Sequence, residues 1–338
     1  MRIRKRVLSA IAAGAALAVL ASCGGQGGGG GDAKLRNYPS RNIEVIAAGE
    51  PGGGIDIFSR AIQQSLKEDG LFTRSMTITN RGGGGGNTAM AAAQKKKGDA
   101  YTLVTNSNRV YLNPLVGTTE LTMGKDFVPI AQLMTEYLAI AVPKASKYKT
   151  ATDVIDALKR DPKSVTFGVG TVPSDDQLNI LRAAEAAGVD PGELKVVAFR
   201  SGGDLMTQLL GGRVDVISTG LSETLEQYKA GKVRLLAMSS PERLPGDVSD
   251  VPTWKEQGQD IVIEHWRGVF GPPGMPKQAV DHWSDTFKKM SEGAAWKKQL
   301  ERNKWEPLYR STADFEKVLR EEEKTNGRLL EKVGLAKK

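Results

Sequence analysis

Glu50-Pro51-Gly52-Gly53-Gly54-Ile55-Asp56 separates two segments with different hydrophobic periods. The apolar run before it, residues 43–48, predicts a strand, and the segment after it places Ile55, Phe58 and Ile62 on one face of a helix. The glycines therefore form a strand-to-helix turn, where free backbone N–H groups and the positive helix end favour an anion. A bare turn is the alternative for the glycines. For Asp56, a first-turn residue that complements the helix dipole is the alternative to a ligand contact.

The rest of the chain repeats this alternation of strand and helix, which predicts an α/β fold with parallel sheets covered on both faces. Polar or glycine-rich turns follow most of the strands, at 52–54, 82–86, 107–108, 174 and 201–203. Ligands of open α/β sheets bind at the carboxyl ends of the strands, so these turns predict a rim of N–H and hydroxyl donors around a small polar ligand. The predicted strands are 43–47, 76–79, 101–105, 138–142, 165–168, 195–199, 214–218 and 233–238; the predicted helices are 55–67, 87–96, 151–160, 174–187, 204–210 and 222–230, with a mostly helical segment from Pro276 onward.

Motifs for catalysis and cofactor binding are largely missing. No glycine cluster is followed by the lysine of a phosphate loop, and Asn87 stands where a dinucleotide fingerprint needs its third glycine. The sequence has two histidines, of which His282 reads as a surface residue and His265 as a structural one. A helix cap is the favoured interpretation of Asp175-Asp176, with metal binding as the alternative. We therefore expect no enzyme activity, cofactor or metal.

The N-terminus has the pattern of an exported lipoprotein. Residues 1–22 combine a basic start with an apolar run, as a secretory signal peptide does. Cys23 is the single cysteine and follows Leu20-Ala21-Ser22, which resembles a bacterial lipobox; an ordinary signal with an incidental cysteine is the alternative. Residues 23–34 form a glycine-rich tether. We expect attachment to the outer face of the cytoplasmic membrane by lipid alone.

The charge of the mature chain is modest. The formal net charge of +8 includes four basic residues of the signal. Their removal leaves 43 Lys and Arg against 39 Asp and Glu. This small excess does not indicate nucleic-acid binding.

Nine short motifs occur in a fixed order and span nearly the whole mature chain. They are Tyr38-Pro39-Ser40, Pro51 to Asp56, Asn80-Arg81 before Gly85-Gly86-Asn87, Gly98 to Leu103, Asn113-Pro114, Asp126 to Ile130, Leu209 to Asp215, Asp250 to Thr253 and Gly271 to Pro276. In this order they resemble one family, the tripartite tricarboxylate transporter substrate-binding proteins, also called TctC or Bug receptors, and it is the order that makes the resemblance specific.

The resemblance implies a type II periplasmic-binding-protein fold, whose two lobes close on a small ligand. Lobe one is expected at residues 35–136 with 240–338, and lobe two at 137–239. The implied ligand is a small organic carboxylate, held by backbone and hydroxyl donors rather than by an arginine clamp, and the implied partner is a membrane permease. The chain is expected to be a monomer. Carried over by position, the ligand-binding residues are Gly53, Gly54, Asp56, Gly85, Asn87, Ser107, Ser174, Ser201 and Gly202.

Four residues depart from the family pattern and put the identity of the ligand in question. One of them is Gly82, which stands where a proline is common. Glu50 would oppose a second carboxylate unless it points to solvent. Arg109 pairs with a distal carboxylate of the ligand or is a surface arginine, and Arg200 stands where lysine is common. Two other functions remain open, a receptor for a sensor protein and an exported hydrolase of small acids.

Overall fold

The computed structural model describes residues 35, 37–199 and 202–337, and this part of the chain is a mixed α/β structure. Its strands are β1 (Ile43–Ala47), β2 (Met76–Asn80), β3 (Thr102–Asn106), β4 (Val128–Pro143), β5 (Thr166–Val169), β6 (Lys195–Ala198), β7 (Val216–Gly220), β8 (Val233–Met238), β9 (Glu264–Gly271) and β10 (Glu306–Arg310). Its helices are α1 (Gly54–Glu68), α2 (Asn87–Gln94), α3 (Arg109–Leu115), α4 (Ala151–Arg160), α5 (Asp175–Ala186), α6 (Gly202–Leu210), α7 (Leu221–Lys229), α8 (Lys277–Glu292), α9 (Ala294–Asn303) and α10 (Thr312–Lys332).

The sheet is not purely parallel, so that part of the sequence prediction is wrong. Its main path runs β2-β1-β3-β9-β4-β7-β5-β6, and β8 and β10 also pair with β4. Strands β1, β2 and β3 are parallel to one another, as are β5, β6 and β7. Every pair that involves β4 or β9 is antiparallel. Two parallel sets of strands are thus joined through an antiparallel centre.

Strand β4 is the element that joins the two sets. Its first half pairs with β9 and β10, and its second half pairs with β7 and β8. The sequence predicts a strand only over 138–142, because Gln132, Thr135 and Glu136 interrupt the apolar pattern. All three side chains are nevertheless buried, since β4 is covered on both faces. The expected change of lobe at residues 136–137 falls within this strand and stays a prediction.

Aromatic packing builds the core beside the first set of strands. Trp266 and Phe270 on β9 lie with ring centroids 5.1 and 5.4 Å from Phe315 of α10. Gly268, between them on β9, makes room for this ring, because a Cβ there would lie 2.6 Å from Phe315 Cζ. Separate apolar clusters beside the second set pack Ile140 and residues of α4 and α5 on one side and residues of α6 and α7 on the other.

Local signals position several helices where the sequence predicts them. Thr150 Oγ1 accepts from the Asp153 N–H at 3.1 Å, and Asp153 Oδ2 accepts from the Thr150 N–H at 2.9 Å. This capping box explains why α4 begins at the predicted residue. Ser174 likewise caps α5 by accepting from the Gln177 N–H at 3.2 Å.

Helix α3 and strands β9 and β10 are not among the predicted elements. In the described part of the chain, none of the helices combines the length and apolarity needed to cross a membrane.

Candidate functional site

A cavity of about 690 Å³ lies where the turns after β1, β3, β5 and β7 meet strands β4 and β9. This volume is in the range that holds a small molecule. The lining is strongly charged and polar for a ligand pocket. The residues that line it include Gly54, Arg109, Glu136, Asp175, Asp176 and Arg267.

The start of α1 offers backbone N–H groups to this cavity. Gly53 is the N-cap of the helix, and no side chain caps it. The N–H groups of Gly52 and Gly53 are already used, by Asp56 Oδ2 at 2.8 Å and by the Glu50 carbonyl at 3.0 Å. The first helical N–H groups, starting with that of Gly54, have no partner within the helix. An anion in the cavity would meet these donors and the positive end of the helix dipole.

Arg267 places its guanidinium beside the start of α1. A Cβ on Gly54 would lie 2.6 Å from Arg267 Nη2, so this glycine is what lets the guanidinium lie against the turn. Arg267 is buried and lies 3.5 Å from Glu136 Oε2. Glu136 in turn accepts hydrogen bonds from the Ser222 backbone N–H at 2.9 Å and from its hydroxyl. The guanidinium is therefore held in position before any ligand arrives.

Arg109 is the second arginine of the cavity. It extends from the start of α3 and donates to the Thr171 hydroxyl of the turn after β5. A Cβ on Gly85 would lie 2.9 Å from Arg109 Nη1, so the second glycine cluster supports this side chain. Burial lowers the pKa of Arg109, although an arginine stays charged at any physiological pH. The surface-arginine alternative does not describe this side chain, which lines the cavity.

Two adjacent carboxylates at the start of α5 have different surroundings. Asp175 accepts from the Asn108 side chain and lies 2.8 Å from His265 Nδ1. Burial by itself would lower the pKa of His265, but the hydrogen bond with Asp175 and the negative charges of Asp175 and Glu136 together outweigh it, and the net shift is upward. Among the described residues, Asp176 accepts one hydrogen bond, from the Gly170 N–H at 3.2 Å, and burial raises its pKa to about 7.

Comparison with known proteins shows which family has this architecture. The family model for the tripartite tricarboxylate transporter family receptor, TctC, matches residues 58–335. The chain belongs to this family. A curated relative from Pseudomonas sp. (strain P51), a UPF0065 protein, is 27% identical over 251 residues, which cover 73% of each chain.

Solved structures agree with this assignment. A TctC solute-binding protein from Polaromonas, without ligand, is 26% identical with a TM-score of 0.73, over 87% of this chain and 99% of its own. Rpa4515 from R. palustris, solved with adipate, has the same fold, with a TM-score of 0.77 at 24% identity over 88% of this chain and 99% of its own. The expected periplasmic solute-binding fold is confirmed.

Three of the residues carried over from the TctC resemblance line the cavity. They are Gly53, Gly54 and Ser174. Ser107 is buried immediately before two lining residues, Asn108 and Arg109, but does not itself line the cavity.

Two other carried-over residues stabilise turns instead of facing the cavity. Asp56 is buried and accepts from Gly52 and from Arg60 Nε at 2.9 Å. Burial opposes these bonds, but they lower the pKa of Asp56 overall. Asn87 donates to the Thr118 carbonyl at 3.0 Å and accepts from Asn113 Nδ2 at 2.8 Å. Both residues act on the shape of the two glycine loops.

The remaining carried-over positions can be placed only in part. Gly85 leaves room for the side chain of Arg109, and Gly202 is the first residue of α6. Cys23, Arg200 and Ser201 lie outside the described residues. Glu50 is exposed, and its carboxyl group lies against Gly82, so these two departures from the family pattern are in contact with each other.

Three lining residues, Glu136, Glu223 and Arg267, were not predicted from the sequence, and His265 was predicted to be structural. These residues line the cavity from β4, α7 and β9. The one available signal was the presence of Glu136 and Arg267 inside apolar segments, where an unpaired charge is costly. Three described arginines, Arg109, Arg267 and Arg302, line the cavity, which differs from the expectation that no arginine clamp is present. Among the described residues, no group of three or more His, Cys, Asp or Glu side chains is arranged to hold a metal.

Proposed function

We propose that this receptor captures a small organic carboxylate in the cavity and delivers it to the permease of a tripartite tricarboxylate transporter, without making or breaking bonds. The observation that carries the proposal is the meeting of the uncapped start of α1 with Arg267 at Gly54. Backbone N–H donors and a guanidinium are the groups that proteins use to bind carboxylates. The adipate held by Rpa4515, which has the same fold, agrees with this class of ligand.

Capture would proceed by closure of two lobes, residues 35–136 with 240–338 and residues 137–239. Closure replaces hydration water with fixed donors, and each hydrogen bond to a charged group contributes roughly 1.5–3 kcal/mol. A few such bonds account for micromolar affinity, about −8 kcal/mol, after the costs of ordering. The closed form is the one that the permease would recognise.

The protein would act outside the cytoplasmic membrane, held there as a monomer by lipid on Cys23. The lipobox pattern and the glycine-rich tether support this proposal. Replacement of Cys23 by serine should release the protein from the membrane fraction and abolish labelling by a fatty-acid probe. Unchanged labelling of the Cys23→Ser variant would contradict the anchor.

The receptor function is tested by a thermal-shift screen with organic acids, followed by calorimetry on each compound that shifts the melting temperature. A ligand at a hundred times its Kd should stabilise the protein by about 2.7 kcal/mol. Arg267→Ala should lose the shift, whereas Arg160→Ala, an exposed change on α4 with the same charge difference, should keep it. Each compound should be recovered unchanged after incubation. Turnover, or a failure of every carboxylate to bind, would refute the proposal.

A further inference from the structure

Among the described residues that line the cavity, carboxylates outnumber permanently charged cations. Five of these residues are acidic, and four are arginine or lysine. One arginine is already matched, because Arg267 lies 3.5 Å from Glu136. A solute that carried only negative charges would add to this excess and would meet repulsion from any unpaired carboxylate.

Asp176 is a lining carboxylate that forms no ion pair with any residue that the structure describes. Within residues 37–199 and 202–337, no Lys, Arg or His forms an ion pair with it, and its one hydrogen bond comes from the Gly170 N–H. The charged groups that act on it are Arg109 from α3, His265 from β9, and two further acids, Asp175 and Glu223. Arg109 donates to Thr171 instead, and His265 is held by Asp175.

Glu223 extends this acidic wall from the next helix. It lies on the first turn of α7, lines the cavity and accepts from the Thr219 hydroxyl. Its charge acts on Asp176 and, with burial and Asp175, contributes to the raised pKa of that carboxyl. The wall formed by Asp176 and Glu223 therefore favours a positive group, while the start of α1 and Arg267 favour a negative one.

We propose that the solute carries a protonated amine beside its carboxylate, and that Asp176, assisted by Glu223, binds the amine while Gly54 and Arg267 bind the carboxylate. This inference rests on the proposed function and narrows it from carboxylates in general to amino acids of the cavity's size. A donor on the solute would satisfy Asp176 and remove the repulsion that a plain diacid would meet there. Asp176 is then a specificity-determining residue of the receptor.

Matched pairs of compounds test this inference, since each pair differs by one ammonium group. Succinate is compared with aspartate, glutarate with glutamate, and adipate with 2-aminoadipate, by calorimetry on the purified protein at pH 8. The amino member of the best-bound pair should bind at least about tenfold more tightly, which corresponds to about 1.4 kcal/mol. Asp176→Asn should reverse this preference, weakening the amino member and strengthening the plain diacid.

Two controls separate this result from damage to the fold. Asp156→Asn makes the same charge change on an exposed part of α4 and should leave both affinities as they are. Melting temperatures show whether Asp176→Asn still folds, and Glu223→Gln provides a second variant that should weaken the same preference. Equal or tighter binding of the plain diacids by the wild-type protein would overturn the inference and leave the receptor function standing. Failure of every member of the pairs to bind would overturn the inference, and failure of every carboxylate in the thermal-shift screen would overturn the receptor function as well.

Discussion

Gly54→Ala is expected to weaken solute binding without unfolding the protein. The new Cβ would lie 2.6 Å from Arg267 Nη2 and 3.3 Å from its Cζ. Carbon atoms in contact normally lie about 3.5–4.0 Å apart, so the guanidinium has to withdraw by about 1 Å. Gly54 is not in the left-handed region, and alanine is therefore compatible with its backbone.

The size of the effect follows from the bond that the displaced guanidinium would lose. A hydrogen bond to a charged group contributes about 1.5–3 kcal/mol, so the affinity should fall by about 10- to 150-fold. The far end of a flexible arginine can move at little cost, and the free energy of unfolding should change by no more than about 1 kcal/mol. Gly54→Ala is thus expected to lose affinity for the solute while keeping nearly the wild-type free energy of unfolding.

Calorimetry with the best-bound compound of the screen measures the affinity, and thermal unfolding measures the stability. Gly327→Ala is the matched control, because Gly327 lies on α10, which does not line the cavity, and its Cβ would make an ordinary contact at 3.4 Å with Leu115. Its affinity should equal that of the wild type. Wild-type affinity in Gly54→Ala, combined with a clear loss in Arg267→Ala, would refute the argument that this glycine positions the guanidinium.

Three further predictions concern stability. Burial raises the pKa of Glu322 to about 7, so the folded state retains a proton that the unfolded state loses; the free energy of unfolding should therefore fall as the pH rises from about 4.5 to about 7, and Glu322→Gln should reduce this slope. Thr150→Ala removes the hydroxyl that accepts from the Asp153 N–H and should cost about 1 kcal/mol in denaturant unfolding. Gly168→Ala would place a Cβ 2.7 Å from Leu205 Cδ1 and should cost about 1–3 kcal/mol through overpacking, measured in the same way.

Each of these predictions has an outcome that contradicts it. An unchanged pH slope in Glu322→Gln would show that another group carries the titration. Thr150→Ser, which keeps the hydroxyl, should retain most of the stability of α4, and equal losses in the serine and alanine variants would argue against the cap. If Gly168→Ala is as stable as the wild type, β5 and α6 can separate without cost.

Local patterns in the sequence determined most of the elements around the cavity. The strand-to-helix turn at Gly52–Gly54, the caps at Thr150 and Ser174, and the strands from β5 to β8 depend on residues close to each other in the chain. The order of nine motifs indicated the receptor family, because motifs and spacing are properties of the sequence itself. The scarcity of histidine and cysteine likewise needs no structure to be seen.

The tertiary structure alone decided how these elements assemble and which charges meet. Strands β4 and β9 pair antiparallel across more than 120 residues of sequence, and no local pattern specifies such a pairing. That pairing places Arg267 next to Glu136 and against Gly54. Asp176, which looks like an ordinary first-turn acid in the sequence, lines the cavity and forms no ion pair with a described residue, because Arg109 of α3 donates to Thr171 and His265 of β9 is held by Asp175. Charge complementarity in the site depends on distances between remote segments, and only the folded chain sets those distances.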